Sequence, residues 1–112
     1  MGGLFNKIKL LYSGKARRIA QHKKMFELKS AKERFEYIYK KRLWTSKESI
    51  SGSGSTLNFT KNIRHHLPKI FTQFNISSVL DAPCGDFNWM QHVLKECDSI
   101  CYIGGDIVDT LV

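Results

Sequence analysis

Two acidic residues at the ends of two apolar runs are the residues of this sequence best suited to chemistry. Asp81 ends the run that begins at Ile76, and Asp106 follows a second run at residues 99–105. Between them, Gly85 stands in a turn that precedes a predicted helix. Since ligands of open α/β sheets bind at the carboxyl ends of parallel strands, this order of parts predicts a nucleoside-binding pocket.

The charge of the predicted turn restricts the ligand. Asp81 and Asp86 flank Gly85, so a phosphate would be repelled and a cationic ligand favoured. A dinucleotide site would require the pattern G-x-G-x-x-G, and only one glycine is present here. S-adenosylmethionine fits this pattern because it carries an ammonium and a sulfonium and no phosphate, and Asp106 would accept its ribose hydroxyls. An NAD-linked oxidoreductase is a less favoured alternative.

Two motifs then carry a family resemblance. Leu80–Gly85, with the sequence Leu-Asp-Ala-Pro-Cys-Gly, resembles the first motif of class I S-adenosylmethionine-dependent methyltransferases. Tyr102–Ile107 is similar to the second, acidic motif of that family. Residues 44–56 followed by 81–90 also resemble a bacterial subgroup of it. The usual Gly-x-Gly of the family is replaced by Pro-Cys-Gly-Asp at residues 83–86.

The resemblance covers residues 44–112 and implies a fold and a set of roles. The implied fold is α/β, the N-terminal part of a doubly wound (Rossmann-like) sheet in which several helices precede two parallel strands. Asp106 would bind the ribose and Ile107 would lie beside the adenine. Charge complementarity suggests Arg64 as a partner of the methionine carboxylate. The resemblance implies Asp81 and Gly85 near the methionine end, within a cofactor-binding first motif made of Asp81, Ala82, Pro83, Cys84 and Gly85. Cys84 is interpreted as a small pocket-lining residue, not a nucleophile.

The spacing of apolar residues, together with residues typical of turns and helix ends, predicts the elements that position these residues. A helix is expected over residues 4–29 from Leu4, Ile8, Leu11 and Tyr12, with Gly14 as an interruption. Ser30 to Glu33 form a capping-box signature for the next helix. The segments that follow are a Gly/Ser-rich loop at 44–56, a helix at 57–74 capped by Ser55 or Thr56, a strand at 76–82, a helix at 87–96 capped by Asp86, and a strand at 99–105.

The Gly/Ser-rich loop leaves two interpretations open. Such composition is typical of a flexible linker. Trp44, Glu48 and Ile50 are unusual in a linker and favour an ordered, functional loop. The predicted organisation is therefore a basic helical region at 1–43, this loop at 44–56, and a partial cofactor-binding domain at 57–112.

The net charge of +8 is concentrated in the N-terminal region. Residues 1–42 hold 13 Lys and Arg against three Glu, whereas residues 43–112 have a net charge of −2. The alternative function is therefore a non-enzymatic basic module that binds nucleic acid or an anionic surface through residues 7–42.

The remaining composition excludes several classes of protein. No run approaches the roughly 18 apolar residues of a membrane span. Three cysteines without a C-x-x-C pair indicate neither a disulfide framework nor a zinc site, and they are typical of a reducing cytoplasm.

The predicted number of strands is small for a methyltransferase. A stable sheet usually needs about three or more strands, and two are predicted here. We therefore expect a truncated or partial protein with an incomplete sheet. Its cofactor affinity should be poor, and methyl transfer to an unidentified acceptor should be absent unless another polypeptide completes the sheet.

Overall fold

The computed structural model describes residues 2–44 and 46–112, with side chains from Ser13 onward. The chain divides into two compact units, one ending at Leu43 and the other spanning Trp44–Val112. The apolar positions predicted between Leu4 and Tyr12 lie outside the described side chains.

The first unit consists of two helices. Helix α1 spans Gly2–Glu27 without a break, so the predicted interruption at Gly14 is wrong. One glycine costs a helix only about 1 kcal/mol, which the remaining residues of this helix offset. Helix α2 spans Ala31–Lys41 and begins with the predicted capping box.

The capping box of α2 is formed by two reciprocal hydrogen bonds. The Glu33 N–H donates to Ser30 Oγ at 3.1 Å, and the Ser30 N–H donates to the Glu33 carboxylate at 3.0 Å. The bonds from the Ser30 backbone and hydroxyl lower the pKa of Glu33. The helix ends at Arg42, whose φ of 49° stops it in a left-handed conformation.

In the second unit, helix α3 spans Lys61–Gln73 and starts later than predicted. Ser55 lies in a short 3₁₀ turn. In the turn that follows, the Thr60 hydroxyl donates to the Thr56 carbonyl at 2.8 Å. Neither residue caps α3, whose N-cap position is Thr60. The helix continues through Pro68 as one element.

The two predicted strands form a parallel pair, as expected. Strand β1 spans Ser78–Asp81 and β2 spans Cys101–Gly104, with Asp81 opposite Gly104. The connection between them contains the short helix α4, Met90–Leu94. The fold is therefore a mixture of helices and strands, with a two-stranded parallel sheet preceded by helices.

The core of this unit covers one face of the sheet. Phe71 of α3 and Met90 and Val93 of α4 are buried, and Val79 and Tyr102 of the sheet pack against them. On the opposite face Leu80 is 71% exposed and Ile103 is 55% exposed. Parallel strands with apolar side chains on both faces are normally covered on both, but among the described residues only one face of this sheet is covered.

Within residues 2–44 and 46–112, none of the helices has both the length and the apolar character needed to cross a bilayer.

Candidate functional site

The ends of the two strands lie side by side. The Gly105 N–H donates to the Asp81 carbonyl at 2.9 Å, which extends the ladder one step beyond β2. The Cys84 N–H donates to the Gly105 carbonyl, also at 2.9 Å. The turn after β1 is therefore fastened to the segment after β2, and both predicted acids lie at the same edge of the sheet.

Asp106 joins the two strand ends through its side chain. Its Oδ2 accepts the Gly85 N–H at 3.0 Å, and its Oδ1 accepts the Val108 N–H at 3.0 Å. Gly85 has a φ of 59°, which glycine adopts without a steric penalty. Since each carboxylate oxygen has about two acceptor positions, one position on each oxygen remains for two further donors.

The side chain of Asp81 is bonded to Tyr102, an aromatic residue for which no role at the site is predicted from the sequence. The Tyr102 hydroxyl donates to Asp81 Oδ2 at 2.9 Å. Oδ1 of Asp81 accepts none of the hydrogen bonds formed among the described residues. Burial and the hydrogen bond to Asp81 raise the pKa of Tyr102 well above its ordinary value, so this phenol remains a donor.

The ring of Phe87 packs against the ring of Tyr102. Its ring centroid lies 5.1 Å from that of Tyr102. Its backbone has a φ of 60°, a left-handed conformation that costs a residue with a side chain roughly 1–2 kcal/mol. The strain is located where the chain leaves the glycine turn. No local sequence signal marks this position.

The charges of Asp81 and Asp106 both affect the pKa of the Cys84 thiol. Burial raises the pKa of Cys84 first, and the charges of Asp106 and Asp81 raise it further. The thiol therefore stays protonated near neutral pH. This property favours the interpretation of Cys84 as a lining residue, because a protonated thiol is a poor nucleophile.

Three consecutive amides of the turn are bound inside the protein. The pairs are Cys84 N–H to Gly105 O at 2.9 Å, Gly85 N–H to Asp106 Oδ2 at 3.0 Å and Asp86 N–H to Ser51 Oγ at 2.9 Å. A phosphate-binding turn presents such amides to its ligand. This turn instead uses them to hold its own neighbours.

The prediction that Asp86 caps the helix after the turn is wrong, because α4 begins only at Met90 and its N-cap position is Trp89. Its Oδ2 accepts the Ser49 hydroxyl and the Ile50 N–H, each at 2.8 Å. Asp86 Oδ2 is thus bonded to a segment more than 30 positions away in the sequence, while its Oδ1 accepts the Asn88 N–H at 3.3 Å.

The Gly/Ser-rich segment is held by these and further contacts. Glu48 Oε1 accepts the Leu57 N–H at 2.7 Å and the Asn88 side-chain amide at 2.8 Å. Asn88 also donates to the Ser55 carbonyl at 2.9 Å. These contacts favour the ordered loop over the linker. The unusual Glu48 was the sequence signal that pointed to it.

The other residues of the predicted motifs lie at the rim of the strand ends. Ala82 and Pro83 are exposed in the turn that follows β1. Ile107 follows Asp106 directly and is 43% exposed, whereas the next residue, Val108, is buried. An exposed apolar side chain beside Asp106 is compatible with the adenine contact that the resemblance implies.

Arg64 has a structural role in the described residues. Its guanidinium donates to the Leu57 carbonyl at 2.8 Å and to Thr60 Oγ1 at 3.3 Å. These two hydrogen bonds connect the turn before α3 to that helix. The same side chain lines a cleft of about 560 Å³ whose other lining residues are Leu57, Lys61, Asn62, His65, His92 and Glu96.

Among the described residues, no group of three or more His, Cys, Asp or Glu side chains is arranged to hold a metal ion.

Comparison with known proteins returns no relative of this chain. No protein-family model matches it, and neither a curated protein nor a solved structure matches it.

Proposed function

We propose that residues 44–112 form part of the cofactor site of an S-adenosylmethionine-dependent methyltransferase. The observation that carries the proposal is the convergence of Asp81 and Asp106 on a glycine turn whose amides are already occupied. Such a site attracts a cation and offers little to a phosphate. A nucleoside that carries an ammonium and a sulfonium matches both properties.

The same observation separates this proposal from a dinucleotide site. A pyrophosphate needs free backbone N–H groups near a helix N-terminus. Here the amides of Gly85 and Asp86 donate to Asp106 and Ser51. Two carboxylates near the turn would also repel a phosphate. These features argue against the NAD-linked alternative.

The residues of the site fit the proposed cofactor. Asp106 has acceptor positions left for two ribose hydroxyls, and Ile107 offers an apolar surface for the adenine. Asp81 is oriented by Tyr102, and its Oδ1 is available for an ammonium. S-adenosylmethionine, when bound, supplies an electrophilic methyl group on its sulfonium.

The contribution of this chain to methyl transfer is therefore binding and orientation. S-adenosylmethionine would supply the methyl group, and the residues that hold it would raise the rate mainly through proximity and alignment with an acceptor. No covalent intermediate on the protein is required, in keeping with the protonated Cys84 thiol.

The exposed face of the sheet supports a further part of the proposal. Leu80 and Ile103 face each other in register on adjacent strands, and both are more than half exposed. Apolar pairs of this kind normally lie beneath helices in α/β sheets. We propose that further polypeptide, outside the described residues, covers this face and completes the sheet, and that methyl transfer is absent without it.

Calorimetric titration with S-adenosylhomocysteine tests the cofactor site. We expect the wild-type chain to bind, and the Asp106→Ala variant to lose roughly tenfold or more in affinity, because hydrogen bonds to a charged group are removed. Asp98→Ala, at an exposed acid of the same unit, is the matched control. Circular dichroism verifies that each variant is folded.

Three results would overturn the proposal. These are equal affinity of the wild type and Asp106→Ala, stronger binding of NAD than of S-adenosylhomocysteine in competition, and no binding at millimolar ligand.

A second candidate function is favoured by the surface of α1. Arg17, Arg18, Lys23 and Lys24 are exposed, and so are Ile19 (61%) and Phe26 (71%). Ile19 and Phe26 are seven positions apart, which is two helical turns, so they lie on the same side of the helix. A basic helix that exposes apolar side chains is suited to an anionic surface.

Sedimentation with anionic vesicles at two salt concentrations tests this second function. Binding should weaken with salt and fall when the four cations are replaced by Gln. Binding to nucleic acid in the same buffers, in preference to vesicles, would redirect the assignment to nucleic acid. Absence of both would remove the second function.

A further inference from the structure

Asp86 connects two segments that are far apart in the sequence. Its Oδ2 accepts two hydrogen bonds of 2.8 Å, from the Ser49 hydroxyl and the Ile50 N–H. Its own N–H donates to Ser51 Oγ at 2.9 Å. Three bonds therefore run between one residue of the glycine turn and three consecutive residues of the loop.

The burial of Ser49 indicates that this connection is part of the packed structure. Only 1% of Ser49 is exposed, as little as in the core residue Val93. A buried hydroxyl costs free energy unless it is hydrogen-bonded, and Asp86 provides the acceptor. Loss of Asp86 would leave the buried Ser49 hydroxyl without its acceptor, whereas loss of the Ser49 hydroxyl would leave Asp86 Oδ2 with the Ile50 N–H alone.

A second connection keeps the loop on the same turn. Glu48 accepts a hydrogen bond from the Asn88 side chain at 2.8 Å and another from the Leu57 N–H at 2.7 Å. The loop is thus held at residues 86 and 88, immediately after Gly85. Gly85 in turn donates to Asp106, the proposed ribose ligand.

We infer that Asp86 is a positioning residue that holds the loop at residues 46–57 in place as one wall of the cofactor site. The inference rests on the proposed function. Asp86 acts through the loop, because its Oδ2 is shared by two donors of the loop and its Oδ1 accepts the Asn88 N–H at 3.3 Å within its own turn. The loop adds to the two strand ends a segment that is hydrogen-bonded to Asp86 and Asn88, directly after Gly85.

The test uses variants on both sides of the connection. Asp86→Ala removes the acceptor, Ser49→Ala removes one donor without altering the charge of the turn, and Asp86→Asn keeps an acceptor oxygen but not the charge. Asp98→Ala is the matched control at an exposed acid. Each variant is measured by hydrogen exchange at the Ile50 and Leu57 amides and by affinity for S-adenosylhomocysteine.

We expect Asp86→Ala and Ser49→Ala to accelerate exchange at Ile50 by roughly tenfold and to weaken S-adenosylhomocysteine binding by a similar factor. Asp86→Asn should restore part of both properties, because a hydrogen bond to the loop remains. Saturation with S-adenosylhomocysteine should slow exchange across residues 46–57 of the wild type. Asp98→Ala should match the wild type throughout.

Other results would overturn the inference in identifiable ways. Faster exchange at Ile50 with unchanged affinity would remove the loop from the site. Weaker binding with unchanged exchange, and no rescue by Asp86→Asn, would mean that the charge of Asp86 acts directly on the ligand. No binding by the wild type would overturn the proposed function and the wall together, whereas exchange in the free protein would still decide whether Asp86 holds the loop.

Discussion

The N–H of Gly85 donates a hydrogen bond of 3.0 Å to the carboxylate of Asp106. This bond spans 21 positions of sequence and joins the turn after the first strand to the end of the second. Asp106 stabilises the turn, and under the proposed function its remaining acceptor positions bind the ligand. Variants of Asp106 should alter both the stability of the chain and its binding of ligand.

Replacement of Asp106 by Ala should lower the free energy of unfolding by about 2 kcal/mol, because two hydrogen bonds to a charged acceptor are lost. Urea titration without ligand measures the change. The control Asp98→Ala should stay within about 0.5 kcal/mol of the wild type, as is usual for surface substitutions. Equal midpoints for the two variants would contradict a structural role for Asp106.

Tyr102 should make the chain sensitive to alkali. Burial, followed by the bond to Asp81, raises the pKa of Tyr102 above its ordinary value of 10.0. The neutral phenol is thus favoured in the folded state, and its contribution to stability is present below pH 10 and declines as the pH rises further. Urea midpoints between pH 8 and pH 11 should decline less in Tyr102→Phe than in the wild type. The control Tyr37→Phe, on helix α2, should retain the wild-type decline.

Two glycines should respond in opposite directions to alanine. A Cβ at Gly104 would stand 3.2 Å from the Tyr102 hydroxyl and 3.3 Å from Cys84 Sγ. Gly104→Ala should therefore destabilise the chain by about 1–3 kcal/mol through overpacking. A Cβ at Gly14 meets no atom of the described residues within 4 Å, so Gly14→Ala should raise the helicity of α1. Thermal unfolding measures the stability of Gly104→Ala, and circular dichroism measures the helicity of Gly14→Ala. A Gly104→Ala variant as stable as the wild type would contradict the packing of the strand ends.

The two thiols of the sheet region should react at different rates. Cys101 is exposed, whereas Cys84 is half-buried and its pKa is raised by burial, Asp106 and Asp81. Iodoacetamide at pH 8 should label Cys101 first, as followed by peptide mass spectrometry. Asp106→Asn should lower the pKa of Cys84 and accelerate its labelling. An unchanged rate at Cys84 would show that the Asp106 charge does not reach the thiol.

The capping box of α2 should depend on pH. The pKa of Glu33 is lowered by its bonds to Ser30, so its contribution to helix stability is present above the ordinary value and is lost as the pH falls through the lowered one. Backbone chemical shifts of residues 31–36 should report fraying of the first turn at low pH. Ser30→Ala should show the same fraying at neutral pH. Full order of that turn in Ser30→Ala would contradict the cap.

Local patterns were sufficient to predict several features. Ser30 and Glu33 are three positions apart, and a capping box requires only that spacing. The apolar runs near Val79 and Ile103 identified two strands, and the acids that follow them identified the sheet edge. In each case the interaction that decides the outcome lies within a few residues or follows from the order of the elements.

The tertiary structure decided what depends on distant partners. Asp86 carries the local signature of a helix cap, but Ser49 and Ile50 offer two bonds from across the chain. The late start of α3 follows from contacts of Glu48 and Arg64 with the preceding turn. Leu80 and Ile103 are apolar residues of the kind found on covered faces of sheets. Their exposure depends on which elements pack against that face. Short-range periodicity determines which segments become helix or strand, whereas packing between segments 21 or more positions apart determines which bonds the polar side chains of the strand ends and of the loop make.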